Sequence, residues 1–424
     1  MPSRNRTLRT ELDARANPTP DGLRPRTGRV PETRHSPETE FILRCCAAAC
    51  GGPPTDIGAL LAPSFDWEAL VRATRRHRVT PLIAHHLASV GFSCDHNPAV
   101  ATIIDSYKVN TLRNVYLTET LTEILAEFNR AAIPAISFKG PILGKIAYGD
   151  PMFRVFSDLD ILVRTPDIPR SADLLKTLGY EPTTYDFEVF QSRFFAVSQG
   201  DFRKYDSGIA VACEVDLHWQ LSTPYFPFGP KGEAMWERSI WQRLNGLEVR
   251  TLAHEDHLLF LCVHMARDGW ESLGAICDVA QLIRRVQLDW SSLSARAAES
   301  GSLRMLRVAL ILAHDLLGTE LPVDVLSAAR SDNNAVSIAA SVATDILVSD
   351  NSESRPFREF LASLRAIEMA RDRVRYCALH ALAPTVKDRQ FFQLPKMFFP
   401  LYYILRPIRF ASQQMARRRR KDRW

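Results

Sequence analysis

Nine residues, Phe156–Arg164 (FSDLDILVR), constrain this chain more than any others. They alternate as a strand does, with Leu159, Ile161 and Val163 on one face and Asp158, Asp160 and Leu162 on the other. Two carboxylates on one face of an apolar strand repel and raise each other's pKa unless a cation lies between them. Hard oxygen ligands at this spacing suit Mg²⁺, which takes one or two carboxylates plus substrate phosphates. Other short acidic pairs exist (Glu11/Asp13, Glu38/Glu40, Asp66/Glu68, Asp186/Glu188), but they sit in leader, capping or loop contexts. A second strand candidate, CEVDLHW, puts Glu214, Asp216 and His218 on one face. If the two strands are neighbours, Asp216 can supply the third carboxylate of a two-metal site, with Glu214 as its competitor. His218 either faces the same cleft or is a hydrogen-bonded structural histidine.

The residues around these strands predict an α/β unit at 132–222. The apolar run Ala135–Phe138 precedes Lys139–Gly140 and a helical stretch, Pro141–Tyr148, with Pro141 suited to a first turn. Backbone N–H groups at that turn favour an anion, Gly140 permits close approach of a phosphate, and Lys139 adds positive charge. Ile168–Leu178 reads as a helix ended by Gly179. Phe202–Tyr205 and Ile209–Leu221 flank Asp206–Ser207–Gly208, a hairpin signal. On either side the apolar period is helical. Residues 41–131 contain helices at Glu40–Cys50, Trp67–His77 (capped by Asp66) and Ala99–Ala132; residues 223–390 read as helical throughout from Trp236. At 424 residues and 46% hydrophobic content the chain is neither disordered nor a small disulfide scaffold.

The net charge of +5 suggests a nucleic-acid partner until it is divided by region. Residues 1–40 carry eight Arg against six acids, and residues 406–424 carry eight basic residues against Asp422. The body, 41–405, is therefore net −4. The leader, with six Pro and few large apolar residues, is expected to be disordered. None of the eight cysteines forms a C-x-x-C pair, and no apolar h-region follows the first charges, so a reducing cytoplasm is the expected compartment. Near the other end, MFFPLYYIL (Met397–Leu405) is too short to span a bilayer. It precedes the run Arg417–Lys421, so the 391–424 tail either packs on the body or lies on an anionic membrane surface.

The segment from Phe138 to Tyr180, followed by EVDLHWQL, resembles the uncharacterised nucleotidyltransferase family of the DNA polymerase β superfamily. There a leucine-lysine-glycine turn, an arginine, a D-x-D strand and a strand ending in His-Trp recur in this order. The resemblance covers residues 132–285. It implies an α+β fold, with a small mixed-sheet, palm-like core between an N-terminal helical region and a larger C-terminal all-helical one. It also implies Asp158, Asp160 and Asp216 as metal ligands, with Lys139, Gly140 and Arg154 holding a triphosphate. The wider superfamily has Gly-Ser where this chain has Lys139–Gly140, and Phe138 replaces a common leucine. His264, Trp270 and Asp278 fall on family-like positions, where they form either a buried His–Asp hydrogen bond or a base or acceptor contact. The activity implied is Mg²⁺-dependent transfer of a nucleoside monophosphate from an NTP, with two ions, to an acceptor hydroxyl. The rival is a non-catalytic helical or membrane-surface adaptor around a nucleotidyltransferase-like domain. Nucleic acid is not expected as a partner, because the −4 body offers no basic groove.

Overall fold

The computed structural model describes residues 36–52, 60–61, 64–92, 97–183, 197–206, 211–348 and 355–409. Most of the leader, Cys94, the expected hairpin turn at Ser207–Gly208 and the basic run at 417–421 lie outside the described residues.

Four helices come first: α1 (Pro37–Ala49), α2 (Trp67–Arg76), α3 (Thr80–Ser89) and α4 (Pro98–Arg130). Helix α1 begins three residues earlier than expected because Ser36 caps it through the Thr39 amide. Asp66 caps α2 by accepting from the Ala69 amide. Helix α3 was not foreseen. Its sequence TPLIAHHLAS buries Leu82, Ile83, Ala84 and Leu87, leaving little polar contrast to read.

The core follows: β1 (Ala135–Ser137), α5 (Gly140–Tyr148), β2 (Asp158–Val163), α6 (Ile168–Thr177), β3 (Glu181–Pro182), β4 (Gln199–Asp206) and β5 (Val211–His218). These strands form one five-stranded mixed sheet in the order β1-β2-β5-β4-β3. The β2–β5 pair is parallel and the others are antiparallel.

Beyond it the chain is helical, with one exception. After α7 (Glu233–Arg238), β6 (Ile240–Leu244) and β7 (Leu247–Thr251) form an antiparallel hairpin inside the stretch read as helical. Its turn is Asn245–Gly246, both at positive φ, which is the preferred pair for a two-residue turn between twisted strands. Helices α8 (His254–Arg267), α9 (Leu273–Arg285), α10 (Trp290–Glu299), α11 (Leu303–Leu317), α12 (Val323–Arg330), α13 (Asn333–Val348), α14 (Arg355–Ala366), α15 (Ala370–Leu382) and α16 (Val386–Phe392) complete the order. The single helix expected over Arg358–Leu382 is broken between Ala366 and Ala370.

Helix α11 is central, burying residues on nearly every side, and packs on α1, α9 and α13. One hydrophobic core runs from Phe41 to Tyr376 without a break at 131/132 or 222/223. Cys45, Cys46, Cys50, Cys213, Cys262 and Cys277 are free and buried, as small hydrophobes are. Among the described residues no helix is long and apolar enough to cross a membrane.

Helix α4 departs from its expected apolar face. Val109, Leu112 and Val115 are exposed, while Asn110, Asn114 and Thr118 are buried. The reason is the turn that they hold. Asn114 Nδ2 donates to the carbonyls of Pro151 (2.9 Å) and Arg154 (2.8 Å). Asn110 Nδ2 reaches those of Met152 (3.2 Å) and Arg154 (3.3 Å). Buried amides are tolerated because their donors pair with the carbonyls of this turn.

Candidate active site

The pairing register creates the site. Parallel β2–β5 pairing sets Asp160 opposite Asp216 and Asp158 opposite Glu214. Antiparallel β4–β5 pairing adds Asp201 opposite Asp216 and Arg203 opposite Glu214. One transverse row therefore carries Asp160, Asp216 and Asp201. The next carries Asp158, Glu214 and Arg203, in which Glu214 accepts from the Arg203 guanidinium.

Asp160 is 2% exposed, so its charge needs partners. Lys139 Nζ donates to its Oδ1 at 3.0 Å, and His218 Nε2 lies 2.9 Å from the same oxygen. Burial alone would raise its pKa. The Lys139 charge and the His218 hydrogen bond overcome that and hold the carboxyl well below the usual range. Its second oxygen, Oδ2, is buried with no hydrogen-bond partner among the described residues.

Asp216 behaves in the opposite way. Burial, then the charges of Asp160, Asp201 and Asp158, push it up to about 8. Its Oδ2 accepts from Gln199 Nε2 at 2.7 Å, and the same amide reaches Asp201 Oδ1 at 3.1 Å. Donor atoms of Asp160, Asp216 and His218 all lie within 4.8 Å of one another. An orphaned buried oxygen beside a carboxyl whose pKa is raised by burial and then by neighbouring carboxylates suits a divalent cation, whose charge would favour the ionised form of both. Asp158 is half-buried and outside this cluster, and its charge still reaches Asp216.

Linkage gives a stability test of this arrangement. In chelator, the proton on Asp216 stabilises the fold fully below its ordinary pKa of 3.8, and that contribution fades as pH rises toward 8. Asp216→Asn keeps a neutral group there, so its urea midpoint is expected to fall less between pH 5 and 8 than that of the parent. Parallel midpoints across this range would show Asp216 ionised without a cation.

Lys139 caps α5, and its ammonium lies 5.8 Å from the Phe138 ring centroid and 5.7 Å from that of Phe260. Gly140 follows at φ +51°, where an added Cβ would stand 3.2 Å from the Asp158 carbonyl oxygen. A larger residue would be strained and would press on the strand that carries the acids. Arg154 is committed to an internal acid: its Nε donates to Asp278 Oδ2 at 2.9 Å, and Tyr148 Oη donates to Oδ1 at 2.9 Å. Burial would lower the Arg154 pKa, but the Asp278 charge more than offsets it. Asp278 therefore pairs with Arg154 and Tyr148 and makes no bond to a histidine. His264 stacks on Phe260 and accepts from Arg267 at 2.7 Å, and burial drives its pKa far down. His257 sets its Nε2 2.6 Å from the Phe138 carbonyl oxygen, fixing the end of β1.

A cavity of about 360 Å³ adjoins the site, lined by Lys139, Arg154, His264, Trp270 and Asp278 among others. The carboxylates of the sheet do not line it, so Lys139 and Arg154 stand on its boundary with them.

Comparison with known proteins decides the family. Residues 63–318, more than half of the chain, match the family described as "Uncharacterised nucleotidyltransferase". The chain belongs to that family. Among solved structures, the chain is similar to the crystal structure of an antigenic nucleotidyltransferase-like protein from Paracoccidioides brasiliensis. The identity is 14%, the TM-score is 0.30, and the match covers 50% of this chain and 96% of that one. No curated protein matches the chain.

Within this nucleotidyltransferase-family chain, Asp201, Gln199, Tyr148, Asn110 and Asn114 were not anticipated from sequence. Gln199 and Asp201 sit two apart on β4, as the acids of β2 do, but the expected hairpin arm began at Phe202, the first apolar residue of QGDFRKYD, and so left them out.

Proposed function

We propose that the protein is a divalent-metal-dependent nucleotidyltransferase, moving a nucleoside monophosphate from an NTP to an acceptor hydroxyl with release of pyrophosphate. The observation that carries this reading is the opposed pair of carboxylates on adjacent strands, Asp160 and Asp216, clustered with His218 beside the Lys139–Gly140 turn. Asp160 and Asp216 would hold Mg²⁺, with Asp158 completing a two-ion set and His218 orienting Asp160. When bound, the ions supply charge stabilisation at the attacking and leaving oxygens.

Lys139, at the head of α5, would present its ammonium to a phosphate oxygen there while its present partner, Asp160, would hold the cation. The acceptor oxygen forms a bond to the α-phosphorus, the bond to pyrophosphate breaks, and ionised Asp216 takes the hydroxyl proton. Arg154, held by Asp278 and by the asparagines of α4, would present its remaining donors to the phosphates. Positioning and charge supply most of the rate in such a scheme.

A second reading is favoured by the internal pairing of both phosphate-binding candidates, Lys139 with Asp160 and Arg154 with Asp278. It makes the protein a non-catalytic adaptor built on this fold. Calorimetry of the full chain with each NTP and Mg²⁺ separates the two. Saturable binding that needs the metal is expected, with pyrophosphate release for the NTP preferred. Absence of binding to all of them would favour the adaptor.

A further inference from the structure

The C-terminal segment presents an apolar face outward while its other side is fastened down. Residues 396–409 are continuously helical, first as a 3₁₀ turn and then as an α-helix. On the inner side Phe399 and Tyr402 are buried against Val197, Phe392, Leu394 and Leu405. Tyr402 Oη accepts from the Leu394 amide at 2.9 Å. Asp388, fully buried, receives Arg406 Nη1 at 3.0 Å and Arg409 Nε at 2.5 Å. Two of the basic residues counted to the tail are thus internal anchors of this segment on α16.

On the outer side Leu401, Ile404 and Ile408 recur at i, i+3 and i+7 where the segment becomes α-helical, and Met397, Phe398 and, on α16, Phe391 are exposed as well. Met397 is 78% exposed, Ile404 64% and Ile408 58%, in a chain whose other large apolar residues are mostly buried. An exposed apolar face of this kind marks a contact surface. The fifteen residues after it carry Arg417, Arg418, Arg419, Arg420, Lys421 and Arg423 against Asp422 alone.

We propose that this face docks the protein on an anionic bilayer, the stripe entering the headgroup–acyl boundary and the basic run neutralising lipid charge. The apolar face supplies what a basic tail lacks, and the tail's charge selects the surface. Buried pairing of Arg406 and Arg409 with Asp388 keeps the stripe rigid and outward. The assignment is independent of the chemistry at Asp160 and Asp216.

Sedimentation of the full-length protein with large vesicles tests it, using phosphatidylcholine alone and phosphatidylcholine mixed with phosphatidylglycerol. The parent is expected to pellet with the mixed vesicles only. Ile404→Glu combined with Ile408→Glu should lower that partitioning at least about tenfold while leaving the melting temperature unchanged, since both side chains face solvent. Replacing Arg417 to Arg420 by Gln should weaken binding and reduce its salt dependence. Equal partitioning of the double Glu variant and the parent would overturn the proposal. So would a marked loss of stability in that variant, which would mean that another part of the chain covers the face. Capture of parent and variant alike by RNA, without vesicle binding, would also overturn it.

Discussion

Asp160→Asn is expected to remove metal-dependent NTP turnover, by about a thousandfold or more, and to abolish Mn²⁺ binding measured by electron paramagnetic resonance. Nearly every contact at the site converges on this carboxylate. It is buried, it is the partner of both Lys139 and His218, and it faces Asp216 across the β2–β5 register. The amide keeps the shape and one acceptor but loses the charge that neutralises a cation, so the loss falls on binding and on charge stabilisation together.

Two further variants separate these effects. Lys139→Met should retain Mn²⁺ binding, and even strengthen it, since it removes the cation that competes for Asp160. The same change should weaken NTP affinity. Asp216→Asn should weaken Mn²⁺ binding while making the metal-free fold more stable than the parent near neutral pH, since the amide has no proton to lose there. Metal-dependent turnover retained in Asp160→Asn would sink the site assignment. Loss of turnover with full Mn²⁺ affinity would move the metal elsewhere and leave Asp160 as the anchor of Lys139.

The strands that carry these groups were legible in the sequence because each is a short apolar alternation with acids on one face. Their adjacency was not. Nothing in FSDLDILVR or CEVDLHW states that the two run parallel, or that Asp160 rather than Asp158 meets Asp216, because register is set by the whole sheet. Asp201 was invisible for a related reason. Its strand is mostly polar, and it matters only through its place opposite Asp216. The β6–β7 hairpin, by contrast, was written in Asn245–Gly246 between alternating residues and was overlooked inside a helical stretch.

Helix α4 shows the limit of periodicity most clearly. The apolar side chains Val109 and Leu112 face solvent there, because the opposite side is occupied by asparagines that hold the 151–154 turn. Charge summed by region misled in the same way at Arg406 and Arg409, which belong to the interior.

The second large effect concerns stability. Asp278→Ala is expected to cost about 3–5 kcal/mol in urea unfolding, because it leaves the buried Arg154 guanidinium uncompensated and the Tyr148 hydroxyl without its acceptor. Side-chain exposure is 16% for Arg154 and 8% for Asp278, so water can replace little of the lost interaction. Replacing both members by apolar residues, Arg154→Met with Asp278→Leu, should recover most of that loss, since desolvation of the pair disappears with its attraction. This double variant then isolates what Arg154 does for substrate. If the guanidinium presents donors to phosphates, stability returns while NTP affinity stays depressed. If affinity returns together with stability, Arg154 is an internal strut that joins the β2 approach to α9, and Lys139 with the head of α5 must carry the phosphates. An Asp278→Ala protein within about 1 kcal/mol of the parent would contradict the buried pair itself.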